Sequence, residues 1–497
     1  MPRAASHPKL TRMSPLAARS LVFFTSASVL VLEIMAGRLL APFLGVTLET
    51  FTGIIGTVLA GISVGAWLGG RAADRYDPRS LLGPTLVSGG IFALSAPPIV
   101  TWIGPLAGSA GPVEIVAVTA VAFFAPALVL SMVPPIVVKI RLRDLAETGS
   151  VVGRLSAIGT AGAIFDTFVT GFLLIAAFAT RPIIFGLGAA LVATGLALWR
   201  RGASKTRVVA GLLIAATAGT ALVVAQGPCD HETAYFCARI TIDPARPSGR
   251  VLWLDTLRHS YVDLEDPTFL AFRYARLMSD TVDTELAAGP VETLFVGGGG
   301  LTLPRFLAAT RPGSTNLVLE LDPSIIDIAR EELGFVVDDS TTIITGDARL
   351  GIARAPQQSF DLVVGDAFGG PSVPWHLATR EFVVEIHDRL RPGGIYTLNL
   401  IDHPPLGFAR AETATLSDVF EHVAILAPAA YLEARAGGNF VLVASDEPID
   451  VAEIATATSA RGASERAITG SDVVTFIGDA DVLRDDFAPV DQLISRS

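Results

Sequence analysis

Four consecutive glycines, Gly297 to Gly300, separate an apolar run from a helix-like one in LFVGGGGLTLPRF. Glycine at such a turn permits positive φ and removes the side chain that would hold a ligand away from the backbone. About twenty residues further on, Glu320 ends the apolar run LVLELD, where a carboxylate can accept both hydroxyls of a ribose. Asp347 in TGDA is placed to accept from an adenine amino group, and Asp366 follows the next apolar run in VVGDAFGG. A glycine turn alone serves dinucleotides, adenosyl-sulfonium compounds and purely structural turns alike. The diphosphate reading is disfavoured, because the glycines lack dinucleotide spacing and no Arg or Lys cluster awaits a phosphate. Acidic strand ends suit a sulfonium cation better.

Positioning these groups requires strands that end side by side. VETLFVG, TNLVLELD, STTIITGD, FDLVVGD and GGIYTLNLI read as strands, and LTLPRFLAAT, PSIIDIAREEL, ATREFVVEIHDRL and RAETATLSDVF as helices. This alternation predicts an open, mostly parallel sheet with helices on both faces, completed by VAILAP and NFVLVAS, and ligands bind at the carboxyl ends of such strands. Upstream, ARITID and RVLWLDTLRHSYVD read as β-hairpin strands with PARPSG as the turn, followed by a helix-like TFLAFRYARLMSDTV. The acidic tail after about residue 446 is expected to dock as short helices. The boundaries are 1–226 for a membrane domain, 227–285 for a linker and small β region, and 286–497 for the Rossmann-like domain.

The first half is of a different kind. The chain has 497 residues, 51% of them hydrophobic and 17% charged. Residues 1–226 carry 17 basic side chains against 8 acidic, whereas residues 227–497 carry 20 against 40 and no lysine, which disfavours nucleic acid as a partner. A membrane-crossing helix needs about 20 mostly apolar residues, and about seven runs qualify: 18–37, 51–70, 81–103, 113–135, 153–178, 182–199 and 207–225. Arg3, Lys9, Arg12, Arg19, Arg71, Arg75, Arg79, Lys139, Arg141, Arg143, Arg200, Arg201, Lys205 and Arg207 flank alternate ends, which puts the N-terminus in the cytoplasm. Seven spans would then deliver the C-terminal domain to the extracytoplasmic side. Cys229 and Cys237, the two cysteines of the chain, suggest a disulfide in an oxidising compartment, with a buried thiol pair as the alternative. Within the spans, Gly61, Gly65 and Gly69 form a one-faced stripe that invites close helix packing. Asp166 is a functional candidate. Glu33 is readable as a structural partner of Arg38. GGRAADRYDPR resembles the short cytoplasmic loop between the second and third spans of major facilitator transporters.

The order of LWLDTLRHSYVDLEDP, the glycine turn, LELDP, TGDA, FDLVVGDAF and LRPGG, over residues 239 to 445, resembles the spermidine synthase family, the polyamine aminopropyltransferases. With its membrane spans the chain is similar to bacterial membrane-fused spermidine synthase-like proteins. The resemblance implies transfer of an aminopropyl group from decarboxylated S-adenosylmethionine to an amine such as putrescine, without a prosthetic group or metal. It places the base on Asp366, the ribose acid on Glu320, the adenine-side acid on Asp347 and the nucleoside turn on Gly297, Gly298 and Gly299. His259 and Tyr274 fall on substrate-binding positions. The expected partners are a small-molecule amine, the lipid bilayer and, for assembly, a second copy in a homodimer.

Departures concentrate at the amine end. Gly300 stands where the family has an aspartate, Gly369 where the active loop has a second one, His259 in place of a glutamine and Arg276 in place of a glutamate. These changes keep two alternatives open: an S-adenosylmethionine-dependent methyltransferase, and a non-catalytic membrane sensor or transporter with a nucleoside- or amine-binding domain. His259, His376 and Arg258 could instead meet an anionic acceptor, and Pro371, Pro374 and Trp375 could gate the pocket.

Overall fold

The computed structural model describes residues 13–107, 111–142, 144–199, 227–370, 372–462 and 465–495. The chain divides into two units, Met1–Pro228 and Cys229–Ser497. The expected seventh run at 207–225, the basic residues Arg3, Lys9, Arg12, Arg143, Arg200, Arg201, Lys205 and Arg207, and Pro371 lie outside the described residues.

Among the described residues of the first unit, six helices are long and apolar enough to cross a membrane: α1 (Pro15–Leu44), α2 (Leu48–Arg75), α3 (Pro78–Leu106), α4 (Pro112–Arg141), α5 (Leu145–Ala177) and α6 (Thr180–Trp199). Ser14 caps α1 by accepting from the Ala17 N–H, and Thr47 does the same for α2 through Thr50. The glycine stripe of α2 lies against the backbone of α4: a Cβ added at Gly65 would stand 2.1 Å from the Leu128 carbonyl oxygen. Only glycine permits that approach, which brings the two backbones into direct dispersion contact. Asp166 is buried in α5 and accepts from the Thr170 hydroxyl at 3.1 Å. Arg38 Nε donates to Thr180 Oγ1 at 3.1 Å. Asp74, in the last turn of α2, pairs with Lys139 at 2.6 Å, and of GGRAADRYDPR only Tyr76 and Asp77 lie outside the helices.

In the second unit, Cys229 and Cys237 are joined in a disulfide at the start of a four-stranded antiparallel sheet. Its strands are β1 (His231–Glu232), β2 (Cys237–Asp243), β3 (Arg246–Leu254) and β4 (Leu257–Asp263). The stretch RVLWLDTLRHSYVD is therefore two strands and not one. Asp255 turns the chain between them at φ 52°, a conformation that aspartate tolerates better than most side chains. The helix after it, α7, spans Arg273–Glu285, so residues 268–272 fall outside it.

The main sheet contains β5 (Glu292–Val296), β6 (Thr315–Glu320), β7 (Thr341–Thr345), β8 (Phe360–Gly365), β9 (Leu390–Asp402), β10 (His422–Pro428), β11 (Gly438–Ser445) and β12 (Glu465–Thr469). They lie in the order β12-β10-β11-β9-β8-β5-β6-β7. From β7 to β9 all neighbours are parallel, and from β9 to β12 all are antiparallel. The unit is thus an α/β fold with a mostly parallel sheet. The helices between strands include α8 (Thr302–Thr310), α9 (Pro323–Glu331), α10 (Arg380–His387) and α11 (Gly407–Ser417). Alternation along β5 feeds both faces: Leu294 and Val296 join the core with Phe382 and Phe408, while Phe295 joins the one with Leu307 and Ile325. The tail does more than dock as helices, since its β12 pairs with β10 and covers the edge of the sheet.

Candidate active site

The parallel strands β5, β6, β7 and β8 end on one edge and bring the glycine turn, Glu320, Asp347 and Asp366 together. Gly297 sits at φ 98°, and a Cβ there would come within 2.6 Å of the Asp366 carbonyl oxygen. The turn is stitched to both neighbours, with Gly297 N–H donating to Leu319 O and Asp366 N–H to Val296 O, each at 2.9 Å. Backbone from two adjacent strand ends is therefore in contact where any side chain would push it apart.

Glu320 braces this turn. Its Oε2 accepts the N–H groups of Gly298 at 2.9 Å and Gly299 at 3.1 Å, and its Oε1 accepts the Asp322 N–H at 2.9 Å. Burial pushes the Glu320 carboxyl up from its ordinary value, and the three N–H bonds pull it part of the way back. Gly300 N–H donates to Ser260 Oγ at 2.9 Å, and a Cβ at Gly300 would lie 2.9 Å from Ser260 Cβ. An acidic side chain at position 300 has no room unless Ser260 moves.

Asp347 caps the turn that follows β7 by accepting the Arg349 N–H at 2.8 Å, and its other oxygen meets His376 Nε2 at 3.1 Å. Glu320, Asp347, His376, Gly297 and Asp366 line one cavity of about 90 Å³. Pro374 also lines it, whereas Trp375 is 51% exposed and does not.

Asp366 also lines two neighbouring cavities, one of about 30 Å³ beside Gly298 and Tyr274 and one of about 510 Å³ that includes Arg258, Arg276 and Tyr431. His259 lines all three. Tyr274 donates its hydroxyl to Asp366 Oδ2 at 3.0 Å, and Asn399 Nδ2 donates to Oδ1 at 2.8 Å. Asn399 is itself oriented by Asn439, whose amide donates to Asn399 Oδ1 at 2.9 Å. Burial raises the Asp366 carboxyl to about 6, against the pull of the Asn399 and Tyr274 hydrogen bonds, which favour the ionised form. Burial and the charge of Asp366 together push the Tyr274 phenol well above its ordinary value, so it stays a donor. The result is a carboxylate held ionised near neutrality yet basic enough to take a proton.

Not every residue grouped by sequence stays grouped. Burial lowers His259 to about 4, which leaves it neutral at pH 7 and not a cation for an anion to meet. His376 faces Asp347 on the cavity of about 90 Å³, away from the large one that Arg258 lines. Asn399 and Asn439 were not among the expected residues. The signal for Asn399 was there: an amide in the otherwise apolar run YTLNLI, buried at 2% exposure, needs a partner.

No family model matches the chain. It is 36% identical over 139 residues to a polyamine aminopropyltransferase of Vibrio vulnificus, covering 26% of this chain and 44% of that one. It is 30% identical over 121 residues to an eEF1A lysine and N-terminal methyltransferase of Danio rerio, covering 22% and 18%. The chain thus spans less than half the length of either curated relative. Among solved structures, a probable spermidine synthase from Corynebacterium glutamicum aligns with 52% of this chain and 97% of its own, at 28% identity and a TM-score of 0.49. Over part of its length the chain is thus similar to polyamine aminopropyltransferases and to methyltransferases.

Proposed function

We propose that the second unit transfers an aminopropyl group from decarboxylated S-adenosylmethionine to an amine, with Asp366 as the base. The observation that carries this reading is Asp366 at the junction of three cavities, gripped by Tyr274 and Asn399 and raised to about 6. In this reading the glycine turn from Gly297 to Gly299 admits the nucleoside, and Glu320 and Asp347 face its ribose and adenine. Tyr274 and His259 border the path between donor and acceptor. A protonated amine has no lone pair for attack, so Asp366 takes one proton from nitrogen. The nitrogen lone pair then forms a bond to the propyl carbon while the carbon–sulfur bond breaks. Its electron pair returns to sulfur, and methylthioadenosine leaves as a neutral thioether. Holding both reactants in line across Asp366 converts a bimolecular displacement into a local one.

The test is direct. Full-length protein incubated with decarboxylated S-adenosylmethionine and a panel of amines is expected to release methylthioadenosine, and silence with every amine would reject the reading. A second reading, methyl transfer from S-adenosylmethionine, is favoured by one observation: Ser260 fills the space where an acid at position 300 would hold a propylamine nitrogen. Release of S-adenosylhomocysteine in the same assay would select it.

We further propose that the chain is held in a membrane by α1 to α6 and the run at 207–225, N-terminus in the cytoplasm, with the second unit on the opposite side. The Cys229–Cys237 disulfide supports that side, because such bonds persist in oxidising compartments. Intact cells treated with a reductant and then a membrane-impermeant maleimide are expected to label both cysteines. Labelling that requires permeabilised cells would put the unit in the cytoplasm.

A further inference from the structure

The large cavity that opens on Asp366 has an unusual charge for a site built to receive a polyamine. Its described lining includes three arginines, Arg258, Arg273 and Arg276, and Asp366 as its one acid. Arg273 is committed, since its guanidinium pairs with Glu465 at 2.9 Å. Arg258 is oriented without an acid: it lies over the rings of Phe272 at 5.3 Å and Trp253 at 5.9 Å, and forms no ion pair among the described residues. Arg276 likewise forms none, and it stands one helical turn beyond Arg273 on the same cavity-facing side of α7. Two guanidinium groups held in no ion pair among the described residues, Arg276 within electrostatic reach of Asp280, thus face a cavity whose inner end is a proton acceptor. Tyr431 and Asn439 add polar groups to its wall.

We infer that the acceptor is an amine that also carries a carboxylate: its amine meets Asp366, and its carboxylate meets Arg258 and Arg276. The inference rests on the transfer reading above and names its substrate class. A guanidinium fork matches a carboxylate in plane and charge, whereas the distal ammonium of a diamine would be driven toward two like charges. Discrimination comes from repulsion as well as attraction, so both partners of the preference can be inverted by mutation.

The experiment compares 4-aminobutyrate and ornithine with putrescine and cadaverine, each with decarboxylated S-adenosylmethionine and with S-adenosylmethionine, using the full-length protein. The carboxylate-bearing amines are expected to give kcat/KM at least about tenfold above the diamines. Arg276→Glu and Arg258→Gln are each expected to erode or reverse that ratio. Turnover of diamines in preference, with no change of ratio in Arg276→Glu, overturns the inference and leaves the transfer reading standing. If no amine turns over with either sulfonium, the transfer reading fails, and the anion preference is read separately by thermal shift. Stabilisation by 4-aminobutyrate that disappears in the Arg258→Gln, Arg276→Gln double variant upholds it, and an equal response in wild type and variant overturns it.

Discussion

Asp366→Asn is expected to lower turnover by about 10²–10⁴-fold, the range associated with a positioned general base, while methylthioadenosine still binds. The amide keeps the shape of the carboxyl and can still accept from one of its two donors, Tyr274 or Asn399. What it loses is the capacity to take a proton. In the wild-type protein the base must be ionised to act, so the rate should rise with pH through an acid limb near about 6. The Tyr274 hydroxyl stabilises the ionised form, so Tyr274→Phe raises Asp366 further and moves that limb to higher pH. Stability runs the other way: an acid whose folded pKa is raised costs nothing below its ordinary value, and the cost builds as pH rises from that value to about 6 and is complete above it. The Asp366→Asn chain should therefore be no less stable than wild type to acid, and its inactivity is not explained by unfolding. Turnover within about threefold of wild type would remove Asp366 from the chemistry.

Glu320→Leu should have the second large effect, on nucleoside affinity. Three N–H groups, of Gly298, Gly299 and Asp322, lose their acceptor at once. Each buried donor left unpaired costs about 1–3 kcal/mol, which the turn can reduce only by moving toward water and out of the conformation that admits a ligand. Calorimetric titration with methylthioadenosine should show affinity at least about 100-fold weaker. Glu320→Gln retains one acceptor oxygen for the glycine N–H groups but turns its NH₂ toward the Asp322 N–H, so it should fall between. Affinity in the leucine variant within about threefold of wild type would mean that the turn holds its shape without the brace.

The parallel half of the sheet was legible because each strand is a short apolar run closed by Gly, Asp or Pro, and each intervening helix carries its own apolar stripe. The antiparallel end was harder. β12 reads ERAIT, a mostly polar edge strand with the same look as a loop. The β3–β4 hairpin was hidden because its turn uses Asp255 and Thr256 instead of the Asn-Gly type that announces such turns. The positions of Asp366, Glu320 and Asp347 were readable from spacing, but the brace under the glycines was not, because one carboxylate type suits both a ribose and a row of N–H groups. Asn439 was invisible for a related reason: its value lies in facing Asn399 across two strands joined only by the fold.

That pairing has a consequence of its own. In the β9–β11 ladder Asn399 stands opposite Val441 and Asn439 opposite Ile401, so the two amides are diagonal neighbours on one face. Asn439 donates to the oxygen of Asn399, and this fixes which end of that amide is turned toward the carboxylate. Slide β11 by one residue and Asn439 leaves that face. Asn399 could then rotate and present its oxygen to Asp366, turning an attractive contact into a repulsive one. The sense of a single amide, and with it the affinity of the site for a proton, is recorded in the alignment of two strands.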